Sequence, residues 1–204
     1  MKKSNLVSIG LRAKTARAIA VVLGGPGDSP IVLKKFEMAL ADPRIAATAQ
    51  PYHEVMELPW AESQQAVQKS ARAIEAIARK ALADLIKELQ SAGMKVSGVG
   101  IVGARDKDLA RIGNFHIRAH AAEGVLFRHV LDIAADANGV KRRTFPDREF
   151  AELVAVELGH ESAALKQKLN DLGRSLPPPW RTDEKQAATA AWLVLHLRGK
   201  YRHS

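Results

Sequence analysis

The stretch from Leu6 to Leu40 limits the choice of fold more than any other. Two apolar runs, Leu6 to Leu11 and Ala18 to Leu23, flank a basic, hydroxyl-bearing turn, Arg12 to Arg17. A Gly-Gly-Pro-Gly-Asp-Ser-Pro loop follows, and then a third strand-like run, Ile31 to Leu40. Apolar runs of this length separated by turn residues predict a three-stranded antiparallel meander. The Gly24 to Pro30 loop is not a P-loop, because no Gly-Lys-Ser/Thr follows it and no helix begins there.

The rest of the chain alternates helix and strand signals. Pro43, Pro51 and Pro59 make 41–60 an irregular connector with at most one helical turn, around His53 to Glu57. Ala61 to Ser91 carries Val67, Ala71, Ile74, Ala78, Ala81, Leu85 and Leu89 at three- and four-residue steps, which predicts one long amphipathic helix. Its alanine-rich stripe would either cover the sheet or pair with a second copy in a homodimer. Val96 to Val102 reads as a short buried strand. A second helix is expected within 109–136, interrupted near Gly113-Asn114, with Asp106 or Asp108 as its cap. Val140 to Phe145 reads as a strand, and helices follow at 148–158, 162–172 and 183–197. The order β-β-β-α-β-α-β-α-α-α predicts a mixed α/β sheet flanked by helices. No repeat or low-complexity tract divides it, so 1–204 is expected to be one domain with a basic C-terminal tail.

Composition narrows the function classes. The formal net charge is +9 and the pI about 9.9, which favours polyanionic partners, nucleic acid above all. A basic surface without such a partner accounts for the charge equally well. The chain has no cysteine, which excludes disulfides, zinc-thiolate sites and thiol catalysis. The basic N-terminus is followed by too short an apolar run for a signal peptide. No stretch approaches the ~20 apolar residues of a membrane span. A cytoplasmic protein with no membrane association is the expectation.

Three stretches carry a family resemblance. Leu6 to Val22, LVSIGLRAKTARAIAVV, is similar to the first hairpin of the ribonuclease H-like superfamily, and most closely to its Holliday-junction-resolvase branch. Asn114 to Val130, NFHIRAHAAEGVLFRHV, resembles the small-residue helix after that fold's fourth strand. Asp183 to Leu195, DEKQAATAAWLVL, resembles the C-terminal helix whose first turn brings acids to the active site. The resemblance implies a five-stranded mixed sheet, a nucleic acid substrate and hydrolysis with two Mg or Mn ions. Such ions need carboxylates converging from separate elements. Asp106, Asp183 and Glu184 are the metal ligands it implies here; Glu54 or Glu57 could approach from the connector, although nothing in the sequence places them there. The first strand departs from the pattern, offering Ser8, Ile9, Gly10 and Leu11 where a carboxylate belongs. The fourth strand has no acid either, and Gln186 stands where the last helix could carry another.

Other constellations stand beside that resemblance. His116, His120 and Glu123 share one helical face at i, i+4 and i+7. They could act in acid–base catalysis near a phosphate, hold a divalent ion with Glu123 as third ligand, or form a solvated helix face. Arg12, Lys14, Thr15 and Arg17 would hold phosphate at the first turn, with Arg118 assisting from the helix. A solvated basic hairpin is the plain alternative. Lys141, Arg142 and Arg143 suit either a backbone phosphate or a charge-protected edge strand. The exposed linker position of Trp180 suits base stacking, although packing explains it too. The expectation is a divergent ribonuclease H-like protein acting on or binding nucleic acid. The alternative is an inactive nucleic-acid- or protein-binding module of the same fold, and an actin-like phosphotransferase relative is a third.

Overall fold

The computed structural model describes residues 5–158 and 162–200. Five strands form one sheet in the order β3-β2-β1-β4-β5. Strands β1 (Leu6–Lys14), β2 (Arg17–Gly24) and β3 (Ile31–Ala39) make the expected antiparallel meander. β4 (Lys95–Gly103) pairs parallel with β1, and β5 (Arg142–Pro146) pairs parallel with β4. Each parallel strand is reached through a helix, because a parallel neighbour requires a crossover.

The first hairpin is longer and tighter than the sequence predicts. Arg12, Ala13 and Lys14 are strand, not turn, and Lys14 pairs with Arg17 across a two-residue loop. Ala16 closes that loop at φ +64°, a backbone that costs an L-residue roughly 1 kcal/mol. The alternation of β1 then sorts its side chains. Val7, Ile9, Leu11 and Ala13 face one core, while Ser8, Gly10, Arg12 and Lys14 face the opposite layer.

One face is covered by α2 (Gln68–Ser91) and α3 (Phe115–Ala137). The stripe of α2 is spent there: Ile74, Ala78, Leu82, Leu85 and Leu89 are buried against Val7, Ile9, Leu11 and Phe127. The long helix expected from residue 61 is two helices, α1 (Trp60–Ala66) and α2, divided at buried Val67. α3 starts at Phe115, after a single 3-10 turn at Leu109–Arg111. Its cap is Asn114, whose side chain accepts from the Ile117 amide at 2.9 Å. Asp106 and Asp108 do not cap it, since the chain between Asp108 and Asn114 never settles into α-helix.

The other face is covered by α6 (Thr182–Lys200), with α4 (Phe150–Leu158) and α5 (Ser162–Gly173) packed beside it. Gly10 and Gly100 are register partners on β1 and β4. A Cβ on Gly10 would lie 1.8 Å from the Ala187 carbonyl oxygen, and one on Gly100 would lie 2.4 Å from that of Ala190. Ala187, Ala190 and Ala191 are completely buried, and Ser8 donates its hydroxyl to the Ala191 carbonyl at 2.7 Å. Small residues on both surfaces let α6 lie almost on the sheet backbone. This close seat fixes the first turn of α6 against the carboxyl end of β1. The basic tail expected from Arg198 lies beyond the described residues from position 201 onward.

Candidate functional site

Parallel strands end together, so β1, β4 and β5 deliver their exit loops to one edge of the sheet, where α6 also begins. Open α/β sheets place ligands at such an edge. Arg12 and Lys14 point from β1 toward the first turn of α6. The Asp183 carboxylate lies 3.5 Å from Arg12 Nε and 3.1 Å from Lys14 Nζ. Arg12 also reaches Asp147, just past β5, at 3.6 Å. Two cations and two acids thus form a closed, half-buried network where the resemblance calls for carboxylates gathered around metal ions.

Glu184 and Asp106, also expected at this edge, are occupied as well. Glu184 is buried and accepts the Arg181 amide at 2.7 Å, the reciprocal half of a helix capping box. Asp106 is largely exposed and pairs with Arg128. Arg128 is itself held by buried Asp132 at 2.8 Å and by the Ala104 carbonyl. Glu54 and Glu57 are exposed on the connector. Asp106, Asp183 and Glu184 therefore do not converge, and each serves a cation or a helix end. Magnesium needs several oxygen ligands at about 2.1 Å. A carboxylate set already neutralised by Arg12, Lys14 and Arg128 does not fit two such ions.

The residues expected to hold phosphate are distributed differently. Arg12 and Lys14 lie in the network, and Arg17 pairs with Glu37 at 3.1 Å. Thr15 sits in the tight turn. Arg118 is buried, and its guanidinium stacks 5.5 Å from the Trp60 ring centroid and 5.0 Å from that of Phe115. It is a packing element rather than an open cation. On β5, Arg142 pairs with Asp136, and Arg143 with Glu157. Trp180 donates its indole N–H to Leu169 and packs on Gly173, so it is no exposed stacking platform.

A second constellation lies on the opposite face of the sheet, on the first turns of α3. His116 and His120 are neighbours, with their Nε2 atoms 3.1 Å apart. The connector brings His53 against both, with ring centroids 5.1 and 4.4 Å away. One potential ligand nitrogen from each ring falls within 4.8 Å of the others. Among the described residues this is the one such convergence of three or more histidines or acids. Glu123 does not join it as a ligand. It is fully buried, and its Oε1 accepts from His53 Nδ1 at 2.8 Å and lies 3.3 Å from the His53 amide nitrogen. Next to His53, Tyr52 stacks on Trp60 at 5.5 Å, and burial raises the pKa of its phenol. The sequence reading missed His53. It sits in an aperiodic, proline-broken segment, so no spacing rule links it to a helix more than sixty residues on.

No protein-family model matches the chain, and no curated protein matches it in sequence. Solved structures do match it. The chain is similar to Thermus thermophilus RuvC in complex with a Holliday junction substrate, with a TM-score of 0.54 and 11% identity, covering 95% of this chain and 96% of that one. A second Thermus thermophilus RuvC structure gives a TM-score of 0.52 at 12% identity, with the same coverage. The likeness extends over nearly the whole of both chains. It establishes the ribonuclease H-like fold, a mixed five-stranded sheet flanked by helices.

Proposed function

We propose that this protein binds nucleic acid by phosphate contacts at the sheet edge where β1, β4 and β5 end, and that it does not cleave by two-metal chemistry. One observation supports this above the others. The β1 positions facing the first turn of α6 carry Arg12 and Lys14, and those cations engage Asp183. Arg12 and Lys14 neutralise the acid that a metal ion would need, and the attraction for phosphate comes from the exposed basic side chains around that network.

The exit loops extend that edge. Exposed Lys107 follows β4, exposed Arg148 follows β5, and exposed Arg181 precedes α6. Arg105 and Glu149 tie two of these loops together at 3.2 Å. Phosphate contacts of this kind supply affinity without sequence specificity. A net charge of +9 adds long-range attraction that weakens with salt. The similar RuvC is seen with a Holliday junction, so a four-way junction is the first substrate to test.

Fluorescence anisotropy of labelled junction, duplex and single-stranded DNA, and of matching RNA, measures the binding. The same samples are run on denaturing gels after incubation with Mg or Mn. The expected outcome is salt-sensitive binding with intact strands. Metal-dependent cleavage would overturn the non-catalytic half of the reading, and absence of salt-sensitive binding would overturn the whole.

A further inference from the structure

We propose that His53, His116 and His120 form a binding site for one divalent transition-metal ion of the zinc class, with Glu123 as its buried outer partner. The site lies across the sheet from the phosphate-binding edge and does not depend on that reading.

Glu123 is a buried carboxylate short of partners. Its side chain is fully buried, its Oε2 meets no hydrogen-bond partner, and its one ion-pair partner among the described residues is His53. A buried carboxylate needs both a countercharge and satisfied lone pairs. His53 alone supplies these poorly. With His53 neutral, Nδ1–H donates to Glu123 and the carboxylate has no countercharge. With His53 protonated, the countercharge is present, but Nε2–H becomes a buried donor, and Nε2 also meets no partner. A divalent ion on Nε2 removes both difficulties. It takes the lone pair and places positive charge behind the imidazole, in the carboxylate–histidine–metal relay common at such centres.

The geometry agrees. Zinc–nitrogen bonds of about 2.05 Å in a tetrahedron put ligand nitrogens about 3.3 Å apart. The Nε2 atoms of His116 and His120 already stand at 3.1 Å, and one nitrogen from each of the three rings lies within 4.8 Å of the others. Small side-chain rotations close the remainder. Whichever Nε2 carries the proton between the pair gives it up on binding, either to Nδ1 of its own ring or to solvent. Imidazole donors select zinc, cobalt, nickel or copper over magnesium. His116 and His120 are exposed, so the fourth position opens to solvent and would take water. The ion would also fasten the irregular connector to the first turns of α3.

The test uses the full chain, freed of metal by chelation and dialysis. Zinc is titrated calorimetrically, and cobalt is followed by its visible absorption. One equivalent is expected to bind, with the intense bands of tetrahedral cobalt and a rise in melting temperature. The exposed pair His116→Gln and His120→Gln is expected to abolish binding while leaving the circular dichroism unchanged. Glu123→Gln is expected to weaken affinity 10- to 100-fold. If Glu123→Gln fails to fold, the His116→Gln and His120→Gln variant still decides. No saturable zinc binding, or binding that survives in that double variant, would overturn the proposal. Unchanged affinity in a folded Glu123→Gln variant would remove Glu123 from it.

Discussion

Asp183 shows how one residue type can serve opposite chemistries. On the first turn of the last helix, a carboxylate can hold a metal ion if its neighbours are acids, or hold down cations if its neighbours are Arg12 and Lys14. The structure shows the second arrangement. Replacing Asp183 by Asn is therefore expected to strengthen nucleic acid binding, because it removes a negative charge and releases two cations. Lost pairing would cost about 1 kcal/mol of stability, since the network is partly solvated and Arg12 keeps Asp147. Anisotropy titration at fixed salt and a urea melt check both statements. An affinity that falls on this substitution would show that Asp183 itself contacts the ligand, through a metal or otherwise. Glu184 makes the same point about context. Its spacing from Arg181 is that of a capping box, and the carboxylate is spent on a backbone amide.

Among the elements, the seat of α6 on β1 and β4 carries the most consequence. Register-paired Gly10 and Gly100 meet Ala187 and Ala190 backbone to backbone, so no side-chain rotation can relieve an added methyl. Gly100→Ala is expected to cost 3 kcal/mol or more, above the ~1–3 kcal/mol usual for overpacking, and to displace the first turn of α6. A chemical denaturation curve measures the loss, and weakened nucleic acid binding in the surviving folded fraction reports the displacement. Much of this scale was legible in the sequence. The meander, the order of crossovers and the alanine face of α6 follow from local periodicity, which needs only neighbouring residues. Boundaries set by tertiary contact did not follow. The strand runs on through Arg12 to Lys14 because β2 pairs with it, the 61–91 helix divides where Val67 is buried, and α3 waits for Asn114. Long-range placement was invisible for the same reason. Spacing on α3 pointed to His116, His120 and Glu123 together, but only the folded connector shows that His53 stands between the carboxylate and the other two rings.

For the whole molecule, the deciding quantity is where an excess of cations gathers. Several basic side chains away from the strand-exit edge are neutralised locally: Arg79 by Glu75, Lys80 by Asp84, Lys34 by Glu88, Arg44 by Asp42 and Arg142 by Asp136. At the strand-exit edge, Lys107, Arg148 and Arg181 stand exposed around the closed Arg12–Lys14–Asp147–Asp183 network. If these three meet phosphates, each displaces counterions from the nucleic acid. The slope of log affinity against log salt should then fall by about 0.9 for every contact removed. Lys107→Ala, Arg148→Ala and Arg181→Ala together are expected to lower the slope by about 2.7 and to weaken junction, duplex and single strand alike. Lys69, Arg72 and Lys87 are a matched control. They are exposed on α2, beyond the other face of the sheet, and changing them to alanine removes the same formal charge. That control should leave the slope nearly unchanged. Equal losses in the two triple variants would mean that net charge alone drives binding and that the strand-exit edge is no interface. A loss confined to the first variant would locate the phosphates against the ends of β1, β4 and β5, beside an acid network that holds cations instead of metal.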